Sequence, residues 1–509
     1  MFSKNLDRLI FIAERLDFTL QKRRIKMKQT RLARLASNTL IFTVGKFVSK
    51  LIVIFMLPFY TSYLSSAEYS TSDLITNLCN LIIPLACLGV SEGIFRNAAT
   101  ENVDKESFFT NGVMLMVFGS LGFLALSPLL NLTGYFNDYI WLIICYVIAS
   151  NIHSVCSQYV CAIGRTKLFA GQGVLNTALT VVLNIIFLVG FDMGINGYVL
   201  SIVLADLLST VFVFFVARLY RAFIPKKING AVMKDLLRFC LPLVPSTIFW
   251  WITGVSDRYM VAYMRSDAEN GLYTAAYKIP TLLTYVVTIF NDAWKLSAVS
   301  ESEDREKCAD FYSQIYKYYI AAMFVGGGIL SVGAQIFAKI LFADSYYVAW
   351  IFIPVLSAAT VFTALDTFLG SVYFTVKKTY LSLWTSLIGA VVNIGLNLIL
   401  IPDWMLGWGA MGASVATFAS YFLVYLIRAL TMKKFLPFKM YHGKLIINTV
   451  LIGGISAFMT WYGYSGQTLG LYVSIGILLV SVVFNSRDVY IACRQVLSSV
   501  RGKKGNSNE

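Results

Sequence analysis

Charged residues are scarce in this sequence. Asp, Glu, Lys and Arg together make up 14% of the 509 residues, whereas an ordinary soluble domain carries about 25%. The apolar set AVILMFWYC accounts for 57%. A chain with so little polar surface cannot cover itself in water. This excludes a set of soluble domains and predicts an all-α integral membrane protein.

Histidine is nearly absent, and the cysteines show no pairing pattern. The chain has two histidines, His153 and His442, and eight cysteines, but no CxxC pair and no cysteine–histidine cluster. Most of the cysteines lie within apolar runs, which is typical of small buried hydrophobic side chains. The sequence therefore predicts no metal site, no disulfide framework and no resident cofactor.

Motifs for catalysis and nucleotide hydrolysis are also missing. The sequence contains no GxxxxGK(S/T) phosphate-binding loop, no HExxH zinc motif and no GxSxG nucleophile motif. No connecting loop is long enough to hold a catalytic domain. These absences argue against an ATP-driven pump and against an enzyme.

Apolar runs of membrane-spanning length take up most of the chain. A helix needs roughly 20 apolar residues to cross the hydrocarbon layer. We predict about fourteen transmembrane helices on this basis, at 38–62, 73–95, 109–130, 139–161, 168–190, 196–217, 242–264, 275–296, 316–341, 347–374, 381–401, 408–428, 444–464 and 468–486.

Basic residues indicate how these helices are oriented. The net charge is +15, and lysine and arginine concentrate in alternate short loops, as cytoplasmic loops require. If both termini are cytoplasmic, the predicted outer loops hold essentially one basic residue, Arg265. The positive charge is then explained by membrane topology, and nucleic acid is not an expected partner.

The chain is predicted to divide into two lobes of six helices. A short repeat supports this division, with YLSSAEYSTSDL from Tyr63 and YMRSDAENGLYTAAYKI from Tyr263. Two lobes of the same orientation predict a parallel repeat around a central cavity. The segments are 1–36, a basic cytoplasmic segment; 37–219, the N-lobe; 220–241, a cytoplasmic linker; 242–430, the C-lobe; 443–487, the last helix pair; and 488–509, a basic cytoplasmic tail.

Ionisable residues deep in the predicted spans are the first candidates for function, because charge is unfavourable in hydrocarbon. Lys46 and Lys50 lie four residues apart in helix 1 and share one face, with Lys50 near the bilayer midplane. Asp257 and Arg258 lie in helix 7. We expect these side chains to face a water-filled cavity between the lobes. Structural ion pairs with neighbouring helices are the alternative.

Further ionisable residues lie near helix ends. Glu92 and Arg96 are spaced i,i+4 at the inner end of helix 2, and Asp292 and Lys295 are spaced i,i+3 at the inner end of helix 8. For either pair, the alternative to a role in function is a local salt bridge. Lys278 lies at the outer side of helix 8, where its ammonium can reach the interface.

Two predicted mid-membrane acids have no charged neighbour in their own span. They are Asp206 in helix 6 and Asp366 in helix 10. An isolated carboxylate in lipid is normally protonated or paired. Each is a candidate for coupling transport to a proton or sodium gradient, with a hydrogen bond to a neighbouring helix as the simpler alternative.

Several stretches carry a family resemblance when taken in order. They are ASNTLIFTVGKFVSKLIVIFMLPFYTSYLSSAEYS at 36–70, LGVSEGIFRNA at 88–98, LPLVPSTIFWWITGVSDRYMVAYM with GLYTAAYKIP at 241–280, and FNDAWKLS at 290–297. Together they resemble the Wzx-type lipid-linked oligosaccharide flippases. This family shares a superfamily with the multidrug and toxic-compound extruders and the lipid II flippase. Ser70 departs from the pattern, because glycine is expected there.

The resemblance implies a bacterial inner-membrane flippase with two six-helix bundles around a V-shaped cavity. Its substrate would be an undecaprenyl-pyrophosphate-linked oligosaccharide for O-antigen, capsule or exopolysaccharide. Alternating access would move this headgroup from the cytoplasmic to the outer leaflet. A polysaccharide polymerase and chain-length proteins would be its partners. The alternatives are a cation-coupled drug exporter, which would have an acidic cavity, and a membrane polysaccharide polymerase.

The resemblance and the burial argument together give two sets of candidate residues. Among the basic ones, Lys46, Lys50, Arg96 and Arg258 match positions of basic character in such flippases. The candidates for binding pyrophosphate or glycan are Lys46, Lys50, Arg96, Arg258, Lys278 and Lys295. The candidates for cavity or coupling acids are Glu92, Asp206, Asp257, Asp292 and Asp366.

Overall fold

The computed structural model describes residues 52–99, 103–300, 305–375, 378–432, 434–436 and 438–505. All regular structure in these ranges is helical, and no β-strand occurs among them. Helices suit a chain in lipid because each one satisfies its own backbone hydrogen bonds. The all-α membrane fold predicted from composition is confirmed.

The helices follow one another with short connections. The first half of the chain contains α1 (Leu57–Tyr63), α2 (Ser66–Ala86), α3 (Val90–Ala98), α4 (Lys105–Leu126), α5 (Ile140–Ala162), α6 (Thr166–Asn184), α7 (Gly194–Val216) and the short α8 (Gly230–Cys240). The second half contains α9 (Val244–Met264), α10 (Asp267–Lys278), α11 (Thr281–Ser300), α12 (Arg305–Val332), α13 (Ala334–Leu341), α14 (Ile353–Thr375), α15 (Thr379–Leu400), α16 (Gly409–Met432), α17 (His442–Ser465) and α18 (Leu469–Gly505).

The described residues contain ten helices that are long and apolar enough to cross a membrane, or eleven if α2 and α3 form one span. These eleven coincide with predicted helices 2–6 and 9–14. Helices α9 and α11 occupy the positions predicted for helices 7 and 8 but are not among the ten. Most of predicted helix 1 lies outside the described residues. The count of fourteen therefore stays a prediction.

Predicted helices 2 and 8 are each broken in the structure. Helices α2 and α3 meet at an angle of 58°, because Leu88 and Gly89 adopt positive φ angles of 52° and 67° that a right-handed helix does not allow. Predicted helix 8 divides at Pro280 into α10 and α11, since proline lacks the donor that would continue the helix. Continuous spans at 73–95 and 275–296 were wrong in this respect.

The segment 220–241, which we predict to be a linker, packs against α3 and α4. Its amphipathic helix α8 contacts α3 so closely that a Cβ on Gly93 would lie 2.5 Å from Cys240 Sγ. Lys227 Nζ donates to Asp104 Oδ1 at 2.9 Å and to Glu106 Oε2 at 2.7 Å. The hydrogen bond from Lys227 lowers the pKa of the Asp104 carboxyl. These contacts tie the linker to the start of α4.

The final helix is longer than its predicted span of 468–486. Helix α18 has 37 residues, which corresponds to about 55 Å at 1.5 Å per residue. It therefore continues into the predicted tail. Near that extension Asp488 accepts from Lys317 at 3.0 Å and also from Lys444, which joins α18 to α12 and α17.

The two halves repeat one contact at matching places. Ser65 caps α2 and Ser266 caps α10, each accepting a hydrogen bond from a glutamate N–H three residues later. Glu68 then reaches the start of α7, where a Cβ on Gly194 would lie 3.0 Å from its carboxylate. Glu269 reaches the start of α16 and accepts from Ala410 N at 2.6 Å. A two-lobe repeat would produce this match, and the lobe boundaries stay a prediction.

Candidate functional site

A buried ionic cluster joins α2 to α9 and α10. The Asp73 side chain on α2 is 8% exposed and accepts from Arg258 Nη1 at 2.8 Å and from Lys278 Nζ at 3.1 Å. Asn77, one turn further along α2, also donates to the Asp73 carboxylate at 2.8 Å. One carboxylate is thus shared by two cations from the other half of the chain. We call Asp73, Arg258 and Lys278 the shared-carboxylate cluster.

Arg258 retains hydrogen-bonding capacity in this cluster. Its residue is 8% exposed, its guanidinium lies 5.0 Å from the centre of the Tyr277 ring, and its Nε has no hydrogen-bond partner. Buried polar groups are normally satisfied, so an unpartnered donor calls for an explanation. This free donor means that Arg258 can donate a further hydrogen bond to an anionic oxygen.

Asp257 points to different partners from those of Arg258. Its carboxylate accepts from Tyr273 Oη at 2.5 Å and Thr417 Oγ1 at 3.3 Å, which links α9 to α10 and α16. It also accepts from the backbone N–H of Arg258 at 2.9 Å. The ion pair of the Arg258 side chain is made with Asp73, which lies 185 residues away.

Close packing surrounds the shared-carboxylate cluster on the seam between the two halves. Asn270 Nδ2 donates to Ser70 Oγ at 2.8 Å, and Tyr259 Oη donates to the Leu74 carbonyl at 2.7 Å. A Cβ on Gly271 would lie 1.9 Å from the Ser66 carbonyl oxygen, so only glycine fits there. We call this contact of α2 with α9 and α10 the α2 seam.

Asp206 belongs to a second polar cluster, formed by α5, α6 and α7. Its carboxylate accepts from Asn176 Nδ2 at 2.7 Å and from the Ser150 hydroxyl. His153 Nδ1 lies 3.1 Å from Asp206 Oδ1, and its Nε2 contacts Gln172. Asp206 is therefore bonded to neighbouring helices and paired with the histidine whenever that ring is protonated.

Asp366 is likewise paired, with a cation at the end of predicted helix 12. Arg428 Nε lies 3.0 Å from Asp366 Oδ1, and the guanidinium also donates to Thr385 Oγ1 at 2.9 Å and Ser386 Oγ at 3.0 Å. The Arg428 residue is 3% exposed and lies inside α16. The sequence left open whether this acid is protonated or paired, and the structure places it beside Arg428, one turn before the end of α16.

The remaining predicted site residues are scattered or undescribed. Arg96 on α3 lies 4.1 Å from the centre of the Phe239 ring on the linker helix α8, and Glu92 is exposed on the same helix. Both lie on α3, beyond the break at Leu88 and Gly89 that ends α2. Lys46 and Lys50 lie outside the described residues, as do the side chains of Asp292 and Lys295.

Sequence reasoning missed Asp73 because it placed the start of the helix too late. The predicted span 73–95 put Asp73 at a helix end, where a charged residue is ordinary. Helix α2 starts at Ser66, so Asp73 lies two turns inside it. An N-cap signal was available, because Ser65 is followed by Glu68 in a capping box.

A separate cavity of about 820 Å³ lies between the C-lobe and α17. It is lined by Arg265 and Glu269 at one end, by Trp408 and Tyr464, and by Thr460, whose hydroxyl has no hydrogen-bond partner. Arg265 is paired with Glu269 at 3.1 Å and with Asp403. The central cavity implied by the resemblance stays a prediction.

Solved structures that share this fold include membrane transporters and a flippase. The lipid II flippase MurJ in an inward closed conformation matches 90% of this chain and 100% of that chain, with TM-score 0.64 and 13% identity. An inward-facing multidrug resistance MATE family transporter matches 77% of this chain and 95% of that chain, with TM-score 0.61 and 15% identity. Identities this low establish a common fold and nothing more specific.

A third similar structure is a MOP superfamily transporter from Pyrococcus furiosus, described by the reverse polarity of its binding pocket. It matches 79% of this chain and 95% of that chain, with TM-score 0.53 and 17% identity. No curated protein matches this chain. The family described as polysaccharide biosynthesis protein matches residues 35–295, which include the α2 seam and every residue of the shared-carboxylate cluster. The chain is a multi-pass membrane protein of the polysaccharide biosynthesis protein family.

Proposed function

We propose that this protein is a flippase for an undecaprenyl-pyrophosphate-linked oligosaccharide. The observation that carries the proposal is a pair of cations, the buried Arg258 and the partly exposed Lys278, which share the single carboxylate of Asp73 at 2.8 and 3.1 Å. Family membership and the fold shared with a lipid II flippase support it. The protein would transport its substrate without changing it covalently.

A diphosphate headgroup explains why cations are held in the membrane. Charge in hydrocarbon is unfavourable unless it is paired or serves a function. Guanidinium and ammonium groups bind phosphate oxygens through charge-assisted hydrogen bonds, and these bonds offset part of the loss of hydration. Lys46 and Lys50 extend this proposal from the sequence, and they lie outside the described residues.

The α2 seam gives the proposal a direction. In the predicted topology α2 and α10 both begin at the outer face, so the seam between their first turns closes the outer side. Transport by alternating access would open this seam and close the opposite side, while the lipid chain stays in the bilayer. The protein would lie in the bacterial inner membrane with both termini in the cytoplasm, and would deliver its substrate to a polysaccharide polymerase.

The acids of the two lobes are proposed to couple transport to an ion gradient. Asp206 is held next to His153, and histidine is the side chain whose charge changes nearest to neutral pH. A proton bound by this pair would change the charge of the N-lobe interior. Asp366 is paired with Arg428 instead, which makes it the weaker candidate for coupling.

A drug exporter on the same fold is the second candidate, favoured by the shared fold of the MATE family transporter. The two candidates differ in what accumulates when the protein is lost. In a deletion strain, a missing flippase leaves completed lipid-linked repeat units on the cytoplasmic side. A missing drug exporter leaves surface glycan unchanged and raises drug sensitivity.

The test is therefore extraction of lipid-linked oligosaccharide from the deletion strain and its complemented derivatives. We expect accumulation in the deletion strain, recovery with the wild-type chain, and no recovery with Lys46→Gln/Lys50→Gln or with Arg258→Gln. Membrane insertion of each variant is checked by immunoblotting of membrane fractions. Normal surface glycan in the deletion strain would contradict the flippase proposal.

A further inference from the structure

The shared carboxylate of Asp73 lies where an anionic ligand of Arg258 and Lys278 would have to lie. Both cations direct donors at it, at 2.8 and 3.1 Å. It comes from the opposite half of the chain, because Asp73 is on α2 and both cations follow the linker. The carboxylate therefore has two roles: it neutralises the cations and it holds the halves together.

Hydrogen bonding in the cluster is incomplete, which points to a larger anion. Arginine has five N–H donors and lysine has three, but Asp73 offers one carboxylate and also accepts from Asn77. The buried Nε of Arg258 has no hydrogen-bond partner. A diphosphate carries more oxygens and more negative charge than one carboxylate, and can satisfy both cations more fully.

We propose that Asp73 is a built-in competitor of the substrate diphosphate, so that diphosphate binding to Arg258 and Lys278 releases α2 and opens the α2 seam. This inference rests on the proposed function. Substrate binding then releases the outer seam, because the diphosphate replaces the Asp73 carboxylate on both cations. An empty carrier keeps the seam closed, because Asp73 holds both cations in the absence of substrate.

Competition predicts that substitutions of Asp73 and Arg258 change the affinity for a diphosphate in opposite directions. The apparent affinity of a site equals its intrinsic affinity multiplied by the fraction of molecules in which the site is free. Removing the competing charge increases this fraction and therefore raises the apparent affinity. Asp73→Asn should bind a diphosphate more tightly than the wild type. Arg258→Gln should bind it more weakly. A merely structural Asp73 would predict weaker or unchanged binding in both variants, because loss of the pair would disorder the cluster.

The test measures binding of farnesyl diphosphate, with farnesol as the uncharged control, to the full-length protein in nanodiscs. We expect Asp73→Asn to bind farnesyl diphosphate at least fivefold more tightly, the lower end of the roughly 5–150-fold range typical of coupled sites. Asp73→Glu keeps the charge and should bind as the wild type does. Unchanged or weaker binding by Asp73→Asn would overturn the proposal.

A second measurement leaves the cluster intact and does not depend on the folding of Asp73→Asn. Asn270 and Ser70 are in contact across the α2 seam, with Nδ2 to Oγ at 2.8 Å. A Ser70→Cys/Asn270→Cys pair should form a disulfide, while Ser70→Cys alone controls for the native cysteines. Farnesyl diphosphate should slow this crosslink severalfold and farnesol should not. An equal rate with and without farnesyl diphosphate would refute release of the seam.

The two proposals fail in different ways. If wild type and Asp73→Asn both bind no farnesyl diphosphate, the proposed substrate class is wrong and the competitor proposal falls with it. If the wild type binds and Arg258→Gln weakens binding, but Asp73→Asn does not tighten it, only the competitor proposal fails.

Discussion

Arg428 shows at the scale of single residues how the C-lobe holds a charge in the membrane. It pairs with Asp366 at 3.0 Å and donates to hydroxyl groups of α15. The guanidinium also donates to the Asp366 backbone carbonyl at 3.0 Å, so it is held in place on several sides, although Asp366 Oδ1 itself accepts no hydrogen bond. The arrangement has the features of a structural ion pair, in contrast to the shared-carboxylate cluster with its unpartnered donor.

Breaking this pair should therefore destabilise the protein. Removing one partner of a buried ion pair leaves an uncompensated charge and typically costs about 3–5 kcal/mol. We expect Arg428→Gln to lower the thermal unfolding temperature of the detergent-solubilised protein markedly. The double variant Asp366→Asn/Arg428→Gln leaves no uncompensated charge and should recover much of the loss. If the double variant is less stable than Arg428→Gln, the two residues do not act as a pair.

At the scale of elements, the α2 seam depends on how closely two helices approach. Backbones come this near only where a side chain is absent, as small residues allow between membrane helices. On α10 the residue without a side chain is Gly271. It lies one turn from the capping residue Ser266, so helix capping and close approach are set by the same short segment.

Alanine at Gly271 should force the seam apart. Its Cβ would lie 1.9 Å from the Ser66 carbonyl oxygen, and backbone cannot yield as a flexible side chain does. We expect Gly271→Ala to abolish complementation of the deletion strain and to slow the Ser70→Cys/Asn270→Cys crosslink. Gly254→Ala in α9 is the matched control, because no atom lies within 4 Å of a Cβ there. Equal loss in both variants would show that the effect is not specific to the seam.

The whole molecule joins two halves through contacts that are distant in sequence. The cluster connects residues 185 apart, and the linker is fixed to the N-lobe through Lys227. If transport moves the halves relative to one another, as we propose, then with the linker held in this way the motion would occur at the start of α9 and along the α2 seam.

The direction assigned to the seam depends on topology, which can be measured. Alkaline phosphatase fused after Gly134 should be active, because this residue falls in the predicted outer loop at 131–138. A fusion after Asn229 in the linker should be inactive, because we predict a cytoplasmic linker. The opposite pattern would invert the topology and place the α2 seam on the cytoplasmic side.

Much of the architecture could be predicted from the sequence, because hydropathy is a local property. Ten of the predicted spans, among them 139–161 and 444–464, coincide with helices of membrane-spanning length. The break at Gly89 was harder to predict, since a positive φ angle is decided by packing around it. Proline lacks a donor wherever it stands, but Pro84 lies inside α2 while Pro280 separates two helices, so the sequence did not show which proline ends a helix. Errors of one or two turns at the ends of spans then hid the roles of Asp73 and Arg428.

The sequence by itself determined that this chain folds in lipid, that it has many helices, and that the charges of Arg258 and Lys278 need a partner or a function in the membrane. These conclusions follow from composition and from the cost of charge in hydrocarbon, which are the same wherever the helices pack. Only the tertiary structure decided which acid meets which cation. That choice depends on contacts between segments as far apart as Asp73 and Arg258, and no local pattern records them.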